Sequence, residues 1–304
     1  MGFLNKIYSC EIITPLIMRG VEKKLEIRTQ EIIGILRWWY RFYKAGAVAT
    51  LEELKKEEGK IWGSQERAKQ FKIEKLNGFS EKLIQDVYLC MNDRRETKFK
   101  KYFKIKTQGI KHGNILEIRF NNIKSSEIIP ELNKTWTFLS FFGGLGARWR
   151  RGFSSIMWKE IKIKGNSLSE IKKEIENKLG RSLVKPSSDK KLDEFLNIKN
   201  TEIYLLIKSQ KNFWNDWEEA MNNLRDNFYR KLKRRLDVVA LTQTVNKSNS
   251  RPFSPLIIQI KKTEEEKYFG VILVWKIWRK FKDFNDFINF EVVKNFEIEK
   301  IKLT

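Results

Sequence analysis

FFGGLGARWRRGFSSI, residues 141–156, surrounds Arg148, Arg150 and Arg151 with Gly143, Gly144, Gly146 and Gly152. What flanks it decides how it is read. Upstream, Ile128, Ile129, Leu132, Trp136, Leu139 and Phe142 recur at three- and four-residue steps, which predicts a helix over about 126–142 that Gly143 and Gly144 terminate. Downstream, 153–164 reads as a strand. The loop therefore runs from helix to strand. A dinucleotide-binding turn runs from strand to helix and needs a third glycine at position 149, where this chain has tryptophan. No GxxxxGK[ST] occurs, so a Walker-type phosphate loop is excluded as well. What remains is a glycine-permitted loop carrying three guanidinium groups. Arginine's planar fork suits phosphate oxygens, Gly144 and Gly146 would let a sugar–phosphate chain approach the backbone, and Trp149 would offer a face to a base. The competing reading is an ordinary helix C′ glycine followed by a solvated turn. It is preferred for Gly143 alone, and nucleic-acid contact for the cluster.

Charge supports that preference. Among 304 residues, 61 Lys and Arg stand against 38 Asp and Glu, giving a net +23 and a pI near 9.8. Such a field favours a polyanion, either nucleic acid or an acidic membrane surface. With 41% hydrophobic residues the chain has material for folded cores and is not a disordered basic tail. The longest apolar runs, such as FGVILVW at 269–275, are too short to cross a bilayer, and the N-terminus lacks a cleavage-site pattern; a soluble cytoplasmic protein, with no membrane partner, is expected. Cys10 and Cys90 are the only cysteines, without a CxxC pair, so neither a disulfide framework nor a cysteine zinc site is expected. Asp86, Asp93 and Glu96 lie close in sequence but read as charge balance; no metal and no cofactor is expected. His112, the single histidine, limits imidazole catalysis to one residue, and its glycine-flanked loop shows no placed partner.

Outward from the loop, residues 5–18 read as a strand with Pro15 near its edge. TQEIIGILRWWYRFYK, 29–44, reads as a helix started by a Thr29 cap, with Ile32, Ile33, Leu36, Trp39, Tyr40 and Tyr43 as its buried stripe and Gly34 marking close packing or a close ligand. Residues 51–70 read as helical, broken at Gly59 and IWGS (61–64). Strands are expected at 84–91, 99–106 and 114–120, with loops at 92–97 and 107–113. The sum is a βαββαβ ferredoxin-like unit with an insertion after its first helix. A polar stretch forms a connector, and a second strand-first unit follows: strand 201–209, helix 212–239, strands 255–262 and 268–277, helix 279–290. The expected fold is α+β, two tandem ferredoxin-like, RRM-like domains with helical insertions, over 1–165 and 201–304, joined by 166–200.

GGLGARWRRGFSSI resembles the glycine-rich loop of the CRISPR-associated RAMP superfamily. ITPLIMRG (13–20), EIRTQEIIGILRWWYR (26–41), IWGS (61–64) and RPFSPLIIQI (251–260) resemble, in order, segments of one group within it, the first-numbered RAMP subunit of the type III-B (Cmr) RNA-targeting effector complex. Thr29-Gln30 departs from the proline-containing start expected there. The resemblance implies binding of CRISPR guide RNA and target RNA in antiviral defence, other RAMP subunits of the Cmr ribonucleoprotein as neighbours, and no cleavage by this chain. The expected RNA-binding residues are Arg148, Arg150, Arg151, Gly144, Gly146 and Trp149 in the loop. Arg28, Arg37, Arg41 and Trp38 make a second cluster; Arg251 and the helix-end cations Lys231, Arg234 and Arg235 are further candidates. Two alternatives stay open: a metal-independent endoribonuclease that matures guide RNA through His112, and a scaffold whose aromatics dock protein partners.

Overall fold

The computed structural model describes residues 3–20, 24–76, 80–89, 105–180, 189–194, 197–232, 256–276 and 281–302. The first sheet holds β1 (Leu4–Ile12), β2 (Lys72–Lys75), β5 (Ile115–Ile123) and β6 (Ile156–Trp158) in the order β2-β5-β1-β6, antiparallel throughout. In β1 the period-two alternation sends Tyr8, Cys10 and Ile12 inward, where α1 (Thr29–Lys44) and α3 (Ile128–Phe142) cover them. Strand, helix, two strands, helix, strand, with the first and third strands central, is the ferredoxin-like arrangement. Helix α2 (Leu51–Trp62) is inserted after α1. The hairpin of β3 (Ile84–Leu89) and β4 (Ile105–Ile110) is inserted between β2 and β5 as a sheet of its own.

The second sheet repeats the plan. β7 (Thr201–Lys208), β8 (Leu256–Lys262), β9 (Tyr268–Trp275) and β10 (Phe296–Ile301) lie in the order β10-β7-β9-β8, again antiparallel. Helix α5 (Trp217–Asn223) runs on as a π-helical turn over Leu224–Tyr229, and α6 (Phe281–Phe287) does the same over Ile288–Val292. Between the sheets, α4 (Leu168–Leu179) occupies the expected connector. Ser167 caps it by accepting from the Glu170 N–H, and its buried Leu168, Ile171, Ile175 and Leu179 pack towards α3 on one side and β7 and β10 on the other. One contiguous hydrophobic core runs through both units.

Several boundaries differ from the sequence expectation. The second strand of the first sheet is KIEK at 72–75, not 84–91; three of its four residues are charged, and backbone pairing to β5, not burial, holds it. β4 begins at Ile105 and takes up part of the expected 107–113 loop. α2 passes through Gly59 without a break, and β6 is three residues long. Thr29 does not cap α1: Arg28 holds the cap position, with no side-chain bond. The helix expected from 212 starts at Trp217, where Asp216 accepts from the Glu219 N–H at 2.7 Å. β10 has no counterpart among the expected strands. The expected helix beyond residue 232, with Arg234 and Arg235, lies outside the described residues, as does Arg251.

Candidate nucleic-acid interface

Residues 143–155 turn their backbone into the protein. Gly143 ends α3 with φ −127°, an extended backbone and not a left-handed C′ turn, and a Cβ there would stand 2.4 Å from the Trp39 Nε1. A Cβ on Gly144 would meet the Ser154 carbonyl at 2.3 Å; on Gly146, at φ +81°, it would meet the Ile17 carbonyl at 2.4 Å. These glycines are therefore required by the chain's own packing. The expectation that Gly144 and Gly146 open the backbone to an RNA strand is corrected: both are buried, and the space is already filled.

The occupant is the 13–18 segment. The Ala147 N–H donates to the Ile17 carbonyl at 2.6 Å, the Ile17 N–H to Ser154 Oγ at 3.0 Å, and the Ser154 N–H to the Pro15 carbonyl at 3.1 Å. Thr14 Oγ1 donates to the Gly152 carbonyl at 2.8 Å and accepts from the Ser155 N–H at 2.9 Å. The other side of the loop is fixed to the second sheet. Ile258, on the edge strand β8, donates its N–H to the Arg150 carbonyl at 3.0 Å, Gln259 Nε2 donates to the Trp149 carbonyl, and Ser155 Oγ donates to the Ile260 carbonyl at 2.6 Å. The fully buried Lys261 Nζ donates to the Gly143 carbonyl at 2.5 Å and to the Ile156 carbonyl at 3.0 Å. The loop thus joins the two units and covers the open edge of β8.

Its side chains are less enclosed than its backbone. Arg148, Arg150 and Arg151 are half-buried, and Arg148 sits at φ +63°. Burial, then the charges of Arg151 and Arg19, pull the Arg148 guanidinium below its ordinary range, against an opposing effect of Tyr229. Arg19, Arg148 and Arg151 therefore form one cluster of like charge. Arg150 is placed differently. Its guanidinium lies 5.2 Å from the Trp149 ring centre and 5.8 Å from that of Trp38, and burial lowers it too. Trp149 packs against Trp38 at 5.7 Å and Trp39 at 6.1 Å, so this indole finds ring partners inside the protein. Trp38 also stacks on Phe42 at 5.8 Å.

Arg37 and Arg41 turn away from the loop towards α2. Arg37 Nε donates to Glu58 Oε1 at 2.7 Å; Arg41 donates from Nε to Oε2 at 2.6 Å and from Nη2 to Oε1 at 2.7 Å. Burial alone would raise the Glu58 carboxyl, but hydrogen bonds and charge from Arg41 and Arg37 hold it below the usual carboxylate range. Arg28, at the start of α1, is exposed.

With this geometry in view, residues 9–156, from mid-β1 to the start of β6, match the model of the RAMP superfamily. Over this segment, just under half of its length, the chain is similar to that superfamily. A stretch of 60 residues, 19% of the chain, is 40% identical to the CRISPR system Cmr subunit Cmr1-2 of Pyrococcus furiosus and spans 32% of that relative. In fold the chain is similar to the crystal structure of Cmr1 from Pyrococcus furiosus in its apo form, with a TM-score of 0.58 at 18% identity over 98% of both chains. It is also similar to a chain in the cryo-EM structure of the type III-B Cmr-beta bound to cognate target RNA, with a TM-score of 0.54 at 12% identity over 90% of this chain and 94% of that one.

The matched segment contains a cation that sequence reasoning passes over. Arg19, next to last in ITPLIMRG, a motif legible only as strand and loop, is the one charged side chain there. It donates to Thr107 Oγ1 on β4 and stands close to Arg148. Lys231 is half-buried beyond the π-helical turn of the second unit, and none of the contacts above joins it to the loop cluster. His112 is exposed, and its Nδ1 accepts the Trp217 indole N–H at 3.1 Å across the two units. With Nδ1 accepting, the neutral ring carries its proton on Nε2. No helix among the described residues is long and apolar enough to cross a membrane.

Proposed function

We propose that this protein is the first-numbered RAMP subunit of a type III-B Cmr ribonucleoprotein, and that it binds guide RNA, target RNA or both in the cytoplasm without cutting them. The observation that carries the reading is the division of labour in the glycine-rich loop. Its backbone is sewn into the junction, and Arg148 and Arg151, with Arg19, gather like charge on one rigid support. Clustered guanidinium groups cost self-repulsion that a phosphate chain relieves, and a fixed support lowers the ordering cost of binding. The names of the relatives, Cmr1-2 and Cmr1, and the RNA-bound Cmr-beta assembly support the choice of complex. Other RAMP subunits are then its neighbours.

Arg148→Asn with Arg151→Gln tests it. Asparagine tolerates the left-handed backbone at position 148, so the pair removes charge with little strain. The double variant is expected to bind a 20-nucleotide single-stranded RNA roughly tenfold more weakly at 0.1 M salt. Its log–log salt slope should be shallower by about 1.4, about 0.7 for each lost contact. Unchanged affinity and slope would overturn the assignment of this face. Incubation of the purified chain with guide-repeat RNA in EDTA tests the absence of cleavage. Intact RNA is expected; cutting that His112→Ala abolishes would replace a binder by a nuclease.

A further inference from the structure

We infer that the cleft between α1, α2 and the 63–67 turn is a second phosphate-binding site, which takes a segment of single-stranded RNA backbone apart from the glycine-rich loop. The inference rests on the RNA-binding reading above and adds a location to it.

The cleft has a volume of about 840 Å³ and is lined by the cations Arg37, Arg41, Lys55, Lys56, Lys60 and Arg67 against two carboxylates, Glu58 and Glu66. Of those two, Glu58 is 5% exposed and already engaged by both arginines. Each arginine meets Glu58 with its Nε and Nη2 edge, at 2.6–2.7 Å, so the remaining Nη1 edge of each guanidinium is held in a fixed direction. A buried carboxylate that orients two arginines is a positioning device; a solvated face of mobile arginines would not need it. Lys69, beside Arg37, is lowered first by burial and then by the Arg37 charge, which shows how closely cations are crowded here.

The motif IWGS, which the loop chemistry leaves unused, builds the rim. Gly63 has φ +83°, and a Cβ there would stand 2.9 Å from the Lys69 N. The turn is closed by the Ser64 N–H donating to the Arg67 carbonyl at 2.8 Å. One further feature of α1 fits a ligand. Gly34 lies one turn before Arg37 and two before Arg41 on the same face of the helix, and a Cβ on it would meet nothing within 4 Å. Close packing, one of the two reasons for a glycine at this place, is therefore ruled out; a strip of bare helix backbone leading towards the arginines remains.

Two variants probe the cleft in the full chain. Lys55→Gln with Lys56→Gln and Arg67→Gln removes exposed charge without touching the Glu58 pair. Gly34→Gln places a helix-favouring side chain on the bare strip. The probe is a fluorescent 12-nucleotide single-stranded RNA, with or without a 3′-phosphate, titrated at several salt concentrations. The triple variant is expected to bind about tenfold more weakly with a slope shallower by about 2, and Gly34→Gln to lose several-fold. Equal losses for both probes would assign the cleft to internal phosphates, and a loss confined to the phosphorylated probe to a strand end; either supports the site. Should the triple variant bind like the parent while Arg148→Asn/Arg151→Gln does not, the cleft is no RNA site although the chain still binds RNA. The same result is expected if an acidic protein segment occupies it. If only Gly34→Gln is without effect, α1 does not face the ligand and the site as described falls. If all variants bind alike, the RNA-binding reading falls with it.

Discussion

Lys261 shows most clearly what one residue does in this fold. In LIIQIKK the alternation reads as a strand with polar side chains facing solvent, yet Lys261 is fully buried because a second folded unit covers that face. Its two carbonyl partners lie 118 and 105 residues away, and one of them, Gly143, ends α3, so Lys261 supplies a donor to a helix-end carbonyl. Burial pulls the Lys261 amine well below its ordinary range, against a small opposing effect of Cys10. Lys261→Met keeps the length and strands both carbonyls, so the variant is expected to lose about 1–3 kcal/mol in a urea titration. The pH dependence has a definite sign. The native amine binds its proton less tightly than the unfolded one, so between the lowered native pKa and about 10.4 the unfolded chain holds more protons and stability rises with pH. The parent should therefore gain on Lys261→Met as pH is raised through that window; a gap that stays constant or narrows would show that the amine is not perturbed. Gly146 is the second such residue. Alanine there faces both a positive φ and the Ile17 carbonyl, and a loss of more than about 1 kcal/mol is expected.

At the scale of elements, legibility follows how each element is held. α1 can be read directly, since its stripe Ile32, Ile33, Leu36, Trp39, Tyr40 and Tyr43 is buried as its spacing requires. β2 cannot, because four mostly charged residues held by a neighbour's backbone leave no pattern. β3 and β4 are recognisable as strand-like, but nothing local says that they pair with each other and not with the main sheet. The arginines of α1 stand out in the sequence, but their partner does not: Glu58 is one acid among several in a charged helix, and only the packing of α1 on α2 selects it. Two predictions belong here. Gly34→Ala should raise stability by up to about 1 kcal/mol, since the added methyl meets nothing and the helix gains propensity. Glu58→Gln should lose the charge that both arginines neutralise. Because the native carboxyl is held below its unfolded value, its contribution is complete above about pH 5 and fades as pH falls through the lowered pKa. Parent and Glu58→Gln should thus differ in stability at pH 7 and converge as pH falls below the usual carboxylate range, measured by thermal melts across an acid series.

For the whole molecule, the family-like motifs turn out to be one another's contacts. ITPLIMRG lies against GGLGARWRRGFSSI through Ile17, Ala147 and Ser154, and the described part of RPFSPLIIQI meets the same loop through Ile258 and Gln259. Segments far apart in sequence carry recognisable patterns because each fills the space that another's glycines leave. The loop's arginine content is legible in the order of its residues. Its role as the joint between the units is not, since that depends on the covered edge of β8. This joint links binding to stability. If RNA engages Arg148 and Arg151, it holds the segment that fastens both sheets, and the two units should melt together. RNA at 100 times its Kd adds about 2.7 kcal/mol, which for a chain of this size corresponds to a rise in Tm of several degrees. The whole rise should appear in a single transition at 0.1 M salt. It should vanish near 1 M, where counterion competition removes the phosphate contacts. Two transitions, with only the second insensitive to RNA, would mean that the ligand holds one unit and that the joint does not pass its effect to the other.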